Sequence, residues 1–143
     1  MPIDTLFPMM QRTKHDCAIA CLGALLPVPY SDIQCAADAV TKTTRFRQRP
    51  WRRSGLYTSE IAKLAGRWAE SVKVHRQPAL ARFANATGIL SVGQGSPVRR
   101  SHSVVAFAGT VWEPTEGIVL KRSTFLNALK ATGGRVLDFI EIK

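Results

Sequence analysis

A chain of 143 residues, 45% of them hydrophobic, is long enough for one domain with a real core and too short for two ordinary ones, so a single domain over residues 1–143 is expected. A formal net charge of +10 is unusual for an enzyme of small neutral peptides and predicts attraction to polyanions or acidic surfaces that weakens in salt. Three cysteines without framework spacing argue against a disulfide scaffold, and no apolar run approaches membrane-spanning length, which points to reduced thiols, a cytoplasmic setting and no membrane partner.

In chain order, MPIDTLFPMM carries an acid and two prolines and lacks the basic start and long apolar stretch of a secretory signal. Next comes QRTKHDCAIACLGALL, from Gln11 to Leu26. Asp16 is a favourable N-cap, Cys17 opens the first helical turn, and the apolar run ends before Pro27, where a helix must stop. A thiol at a helix N-terminus meets unpaired N–H groups and the positive end of the dipole, which favour the nucleophilic thiolate. Gln11, six positions upstream, is an amide suited to donate to a developing oxyanion together with the backbone N–H of Cys17. A cysteine in an Ala/Leu-rich helix is most often a buried small hydrophobe. Segments further along the chain lift Cys17 out of that class.

Ser31 caps a second helix through DIQCAADAV, whose Ile33, Ala36, Ala37 and Val40 mark one face. Cys17 and Cys21 would share a helix face, but zinc wants four ligands and neither CxxC nor HxxxH is present, so no metal is expected. From Lys42 to Arg53 the chain reads KTTRFRQRPWRR, with no acid and with Phe46 and Trp51 among the arginines. Arginine and aromatic side chains bind phosphates and stack bases. Arg45, Arg47, Arg49, Trp51, Arg52 and Arg53 are therefore candidates for holding nucleic acid or an acidic protein, against the plainer reading of a solvated loop.

Thr58 caps SEIAKLAGRWA, where Ile61, Leu64, Ala65 and Trp68 repeat at helical spacing, so Trp68 is expected in the core. SVKVHR reads as a strand with His75 facing solvent, PALARFANA as a short helix, and TGILSVGQG as a strand ending in glycines. GQGSPV lacks the lysine and spacing of a P-loop, and no strand–GxGxxG–helix unit exists, so no cofactor is expected. In SHSVVAFAGTVWEPTEG, Ser101 to Gly117, a histidine opens an apolar strand placed centrally in a sheet; the chain turns at Gly109 and returns through Val111 to Glu113. A thiolate needs a base that also protonates the leaving group, and that base needs a group to orient it. His102 and Glu113 fit those roles. IVLK, a capped helix STFLNALKA and the strand RVLDFIEIK complete an α+β domain, with N-terminal helices packed on a twisted antiparallel sheet and the active-site cleft between them.

Gln-x5-Cys with Asp16 before the cysteine, then Ala-Cys-Leu, Ser31-Asp32-Ile33, Gly55-Leu56 leading into TSEIAKLAG, His-Ser-Val-Val, and an acidic residue before Pro-x-x-Gly form an ordered set. In order and spacing it resembles the bacteriocin-processing, double-glycine-leader peptidases over nearly the whole chain, from Gln11 to the last strand. The resemblance implies a papain-like fold with Gln11 in the oxyanion hole, Cys17 as nucleophile, His102 as base and Glu113 as orienting carboxylate. The chain departs from that family at Ala18, where glycine is usual, and at Glu113, where aspartate is usual. The expected function is a cysteine peptidase or isopeptidase hydrolysing a peptide or protein amide. The alternatives are a protein glutamine deamidase or other acyl-transfer enzyme on the same fold, and a non-catalytic basic module that binds nucleic acid or an acidic protein.

Overall fold

The computed structural model describes residues 3, 5–45, 50–78, 81, 85–94 and 100–143. The apolar run after Asp16 is helical from Cys17–Leu25 (α1), and every residue from Ala18 to Leu25 is buried. A helix without a polar face has to lie inside the molecule. The N-terminal segment crosses it closely: Phe7 N–H donates to Ala24 O at 2.7 Å. A Cβ on Gly23 would stand 2.2 Å from Met9 Sδ, so glycine makes room for that crossing.

Three further helices follow: α2 (Tyr30–Thr44), the single turn α3 (Trp51–Ser54) and α4 (Thr58–Ala65). The second begins one residue before the expected cap, with Pro29 at the N-cap and its carbonyl accepting from the N–H groups of Asp32 and Ile33. The fourth stops at Ala65, so the helical spacing that placed Trp68 in the core ends too early. Trp68 is instead 36% exposed.

The remaining chain forms β1 (Val72–Arg76), β2 (Gly88–Gln94), β3 (Arg100–Phe107), β4 (Thr110–Glu113), β5 (Ile118–Lys121), α5 (Arg122–Ala131) and β6 (Gly134–Ile142). The strands make one six-stranded sheet in the order β1-β6-β2-β3-β4-β5, antiparallel at every step. This is the expected α+β organisation, with β3 inside the sheet. The helix expected over PALARFANA and the GQGSPV loop lie largely outside the described residues. No described helix is long and apolar enough to cross a membrane.

Alternation along the strands sends successive side chains to opposite faces and builds two cores. Ile89, Val105, Trp112, Ile140 and Ile142 face α1, α2 and α4. Leu90, Val104, Ala106, Val111 and Phe139 form the other core, which Phe125 and Leu129 of α5 pack against. His75 was expected in solvent; it is partly buried, its Nε2 lies 3.2 Å from Glu141 Oε1, and its ring stacks on Phe139 at 6.0 Å between centroids.

The ends of α2, α3 and α4 are tied by one buried ion pair. Arg45 donates from Nε to Glu60 Oε2 at 2.9 Å and from Nη2 to Oε1 at 2.6 Å. Its other donors reach Ser54 Oγ at 2.8 Å and Gly55 O, while Glu60 also accepts from Thr44 Oγ1 and from Tyr57 N–H, both at 2.8 Å. Burial pushes the Glu60 carboxyl up, but these donors and the guanidinium charge more than offset that and hold it below the ordinary glutamate range. Removing one partner strands the other, so Glu60→Gln is expected to cost about 3 kcal/mol by urea unfolding near neutral pH. Because Glu60 titrates lower folded than unfolded, its contribution is complete above its unfolded pKa of roughly 4.3 and fades as pH falls through the depressed folded value. The gap between parent and variant should therefore narrow on acidification. A gap that is absent at neutral pH, or that widens in acid, contradicts this role.

Candidate active site

Cys17 stands at the N-terminus of α1, where the buried helix reaches β3. The His102 side chain and the backbone and side chain of Ser103 lie close enough to the Cys17 sulfur to act on the thiol. The β3–β4 pairing covers Val105 to Phe107, which leaves Ser103 beyond it and beside the sulfur. Sequence reasoning singled out His102 and passed over Ser103. The only signal was its place directly after the histidine.

The β3–β4 hairpin sets the second contact. Ala108 and Gly109, with φ of 49° and 77°, make a tight turn, and Val105 pairs with Trp112. Continuing that register places Thr115 opposite His102 and Glu113 diagonal to it on the same face. His102 Nε2 hydrogen-bonds Glu113 Oε1, with Thr115 Oγ1 at 3.4 Å from the same nitrogen. That leaves Nδ1 for the sulfur. Glu113 is itself fixed, since its Oε2 accepts the Glu116 N–H at 2.7 Å and its carbonyl accepts the Gly117 N–H at 2.8 Å. Gly117, at φ 69°, closes that turn.

These contacts shift the three groups together. Burial pushes the Cys17 thiol up, but the hydrogen bond and charge of His102 and the Ser103 donors bring it below the usual cysteine range. Burial pulls His102 down, and its bonds to Cys17 and Glu113 with their negative charge overcome that, raising it to about 9. Glu113 is pushed up by burial and brought below the ordinary range by His102 and the Glu116 and Thr115 N–H groups. These shifts draw the arrangement toward a thiolate–imidazolium pair beside an ionised carboxylate. The other thiols differ: burial and the nearby charges of Cys17 and Glu113 push Cys21 well above the usual range, while Cys35 is exposed. Among the described residues no three His, Cys, Asp or Glu side chains gather around a point that suits a metal ion.

Gln11 reaches the same place from the N-terminal loop. Its N–H donates to Pro114 O at 2.9 Å and its Oε1 accepts from Thr115 Oγ1 at 2.8 Å. Its Nε2 donates to Thr13 O at 2.7 Å and Lys14 O at 3.2 Å, so the amide donors point back at their own loop. Oxyanion donation requires the Gln11 amide to turn outward.

Asp16 corrects the sequence expectation. It precedes α1, and its carbonyl accepts the Ala20 N–H at 3.1 Å, but its side chain makes no capping bond. The carboxylate instead accepts from the N–H groups of Arg12 at 3.0 Å and Thr13 at 2.9 Å and from the Tyr30 hydroxyl. It thus pins the loop that carries Gln11. Arg12 lies over the Tyr30 ring at 4.1 Å from its centroid. Burial, then the hydrogen bond and charge of Asp16, push the Tyr30 phenol to about 12.

The proposed basic binding segment is not a single surface. Arg45 is buried on Glu60. Trp51 is 2% exposed and donates from Nε1 to Asp38 Oδ1 at 2.9 Å. Neither is placed to hold a partner, because the tryptophan and first arginine of the segment are used to close the helical layer. Arg52 pairs with the same aspartate at the surface and lies over the Trp51 ring, and Arg53 is exposed. Arg47 and Arg49 lie outside the described residues.

No protein-family model matches this sequence, and no curated protein matches it. Tyr30→Phe is expected to cost about 1.5–3 kcal/mol, since Asp16, 1% exposed, loses one of its three donors while carrying charge. Chemical denaturation checks this, and a variant as stable as the parent contradicts it.

Proposed function

We propose that this chain is a papain-like thiol hydrolase that cuts a peptide or protein amide bond. The observation that carries the reading is the placement of His102: its Nε2 is hydrogen-bonded to Glu113 Oε1, and its imidazole lies close enough to Cys17 to lower that thiol while being raised itself. The likeness of its motifs to the double-glycine-leader peptidases supports the same assignment.

The thiolate of Cys17 attacks the carbonyl carbon, and the oxyanion meets the Cys17 N–H at the positive end of α1, joined by the Gln11 amide once it turns outward. Protonated His102 gives its proton to the departing amine. As a neutral base it then takes a proton from water, whose oxygen attacks the thioester and releases the acid and the thiolate. Glu113 keeps the imidazole oriented and stabilises its charged form. A reactive free thiol fits a reducing, cytoplasmic setting. Deamidation of a protein glutamine would use the same groups, but nothing in the site favours it over cleavage.

Cys17→Ala is expected to lower turnover by about 10^4-fold or more, while Cys35→Ala leaves it intact. Alkylation of Cys17 should proceed at pH values below those of an ordinary thiol, and His102→Ala should move that profile upward. Because His102 is raised to about 9, kcat/KM should fall as pH rises through that value and the leaving group loses its proton donor. Active Cys17→Ala protein, or identical alkylation profiles with and without His102, defeats the proposal.

A further inference from the structure

Beside His102 the surface is hollowed. Two adjoining concavities, of ≈ 330 Å³ and ≈ 550 Å³, share Gln94, His102, Phe125 and Leu129 as walls. Cys17 lines neither. Phe125 and Leu129 are four residues apart on α5, so they present one apolar ridge to the hollow. Val92 adds to the smaller concavity and Ala128 to the larger. Gln94 spends its amide on Thr132 Oγ1 at 3.2 Å. Although the chain has a net charge of +10, no lysine or arginine lines either concavity among the described residues, and the charged groups at the larger one are His102, Glu113 and Glu116.

The proposed reaction decides which part of a substrate falls here. The carbonyl carbon must sit on the sulfur, and the amide nitrogen must take its proton from the imidazolium. Whatever hangs from that nitrogen therefore lies over His102, away from Cys17. We infer that this groove is the leaving-group subsite and takes a bulky apolar side chain on the residue just after the cleaved bond. An acidic residue there meets Glu113 and Glu116, with no lysine or arginine among the described residues to offset them. Phe125, Leu129 and Val92 are specificity-determining side chains.

The inference rests on the thiol-hydrolase reading, and acyl transfer separates the two. Acylating Cys17 with a p-nitrophenyl ester gives a thioester that water or an added amine can take. In aminolysis the amine nitrogen bonds the carbonyl carbon, the carbon–sulfur bond breaks, the sulfur leaves as thiolate and the amine proton passes to His102. By microscopic reversibility the amine enters through the leaving-group site. Leucinamide and phenylalaninamide should divert the acyl group about 10-fold or more better, per mole, than glycinamide or aspartate amide. Ala128→Trp, which fills the larger concavity from an exposed position, and Leu129→Ser should each bring the leucinamide-to-glycinamide ratio toward one. Normal acylation with equal diversion by all four amides in the parent, or a ratio unchanged in both variants, overturns the subsite alone. Failure of Cys17 to acylate overturns the thiol-hydrolase reading and the subsite with it.

Discussion

A cysteine at the inner end of a wholly apolar helix is pushed by burial toward the neutral thiol, and everything around Cys17 works against that push. The helix N-terminus, the Ser103 donors and the His102 imidazolium each favour the anion, and the last two are available only because α1 lies against β3 with its first turn at the end of the β3–β4 pairing. Burial of Ala18 to Leu25 enforces that placement. The same apolar contact that stabilises the fold thereby sets the distance between Cys17 and His102. A one-residue slip of β3 against β2 would send Val105 out of the main core and turn His102 to the other face, so the site and the core share one register.

The loop before α1 adds a second dependence. Three donors converge on Asp16, and one of them, Tyr30, belongs to α2. Gln11 is held through both atoms of its amide, the oxygen by Thr115 beyond Glu113 and the nitrogen by the carbonyls of residues 13 and 14. The side chains proposed as nucleophile, base, orienting carboxylate and oxyanion donor thus come from two distant stretches brought together only in the folded chain.

This division explains what could be read from the sequence. α1 was legible because its limits are local: Asp16 and Pro27 bracket an apolar run. Antiparallel pairing in a short hairpin is nearly local as well, so His102 and Glu113 could be associated from an eleven-residue separation. Asp16 looked like a cap because its true partner, Tyr30, stands fourteen residues further on. Arg45 and Trp51 looked like a binding surface because basic composition suggests exposure, whereas Glu60 and Asp38, fifteen and thirteen residues away, turn them inward. Trp68 failed for a different reason: periodicity shows which face a residue occupies only while the helix lasts.

Taking two arginine-loop side chains inward also separates charge from chemistry. A net charge of +10 acts over about a Debye length, near 8 Å at physiological salt, and sets how often an acidic partner arrives. The hollow beside His102 has apolar walls and two glutamates but no lysine or arginine among the described residues, so the net positive charge is not concentrated on its described walls. On the proposed reading, attraction and choice of bond are governed by different parts of one molecule. Salt would then slow association with an acidic protein substrate while leaving the selection at the leaving-group side untouched, because burial of an apolar side chain does not depend on the screening of distant charges.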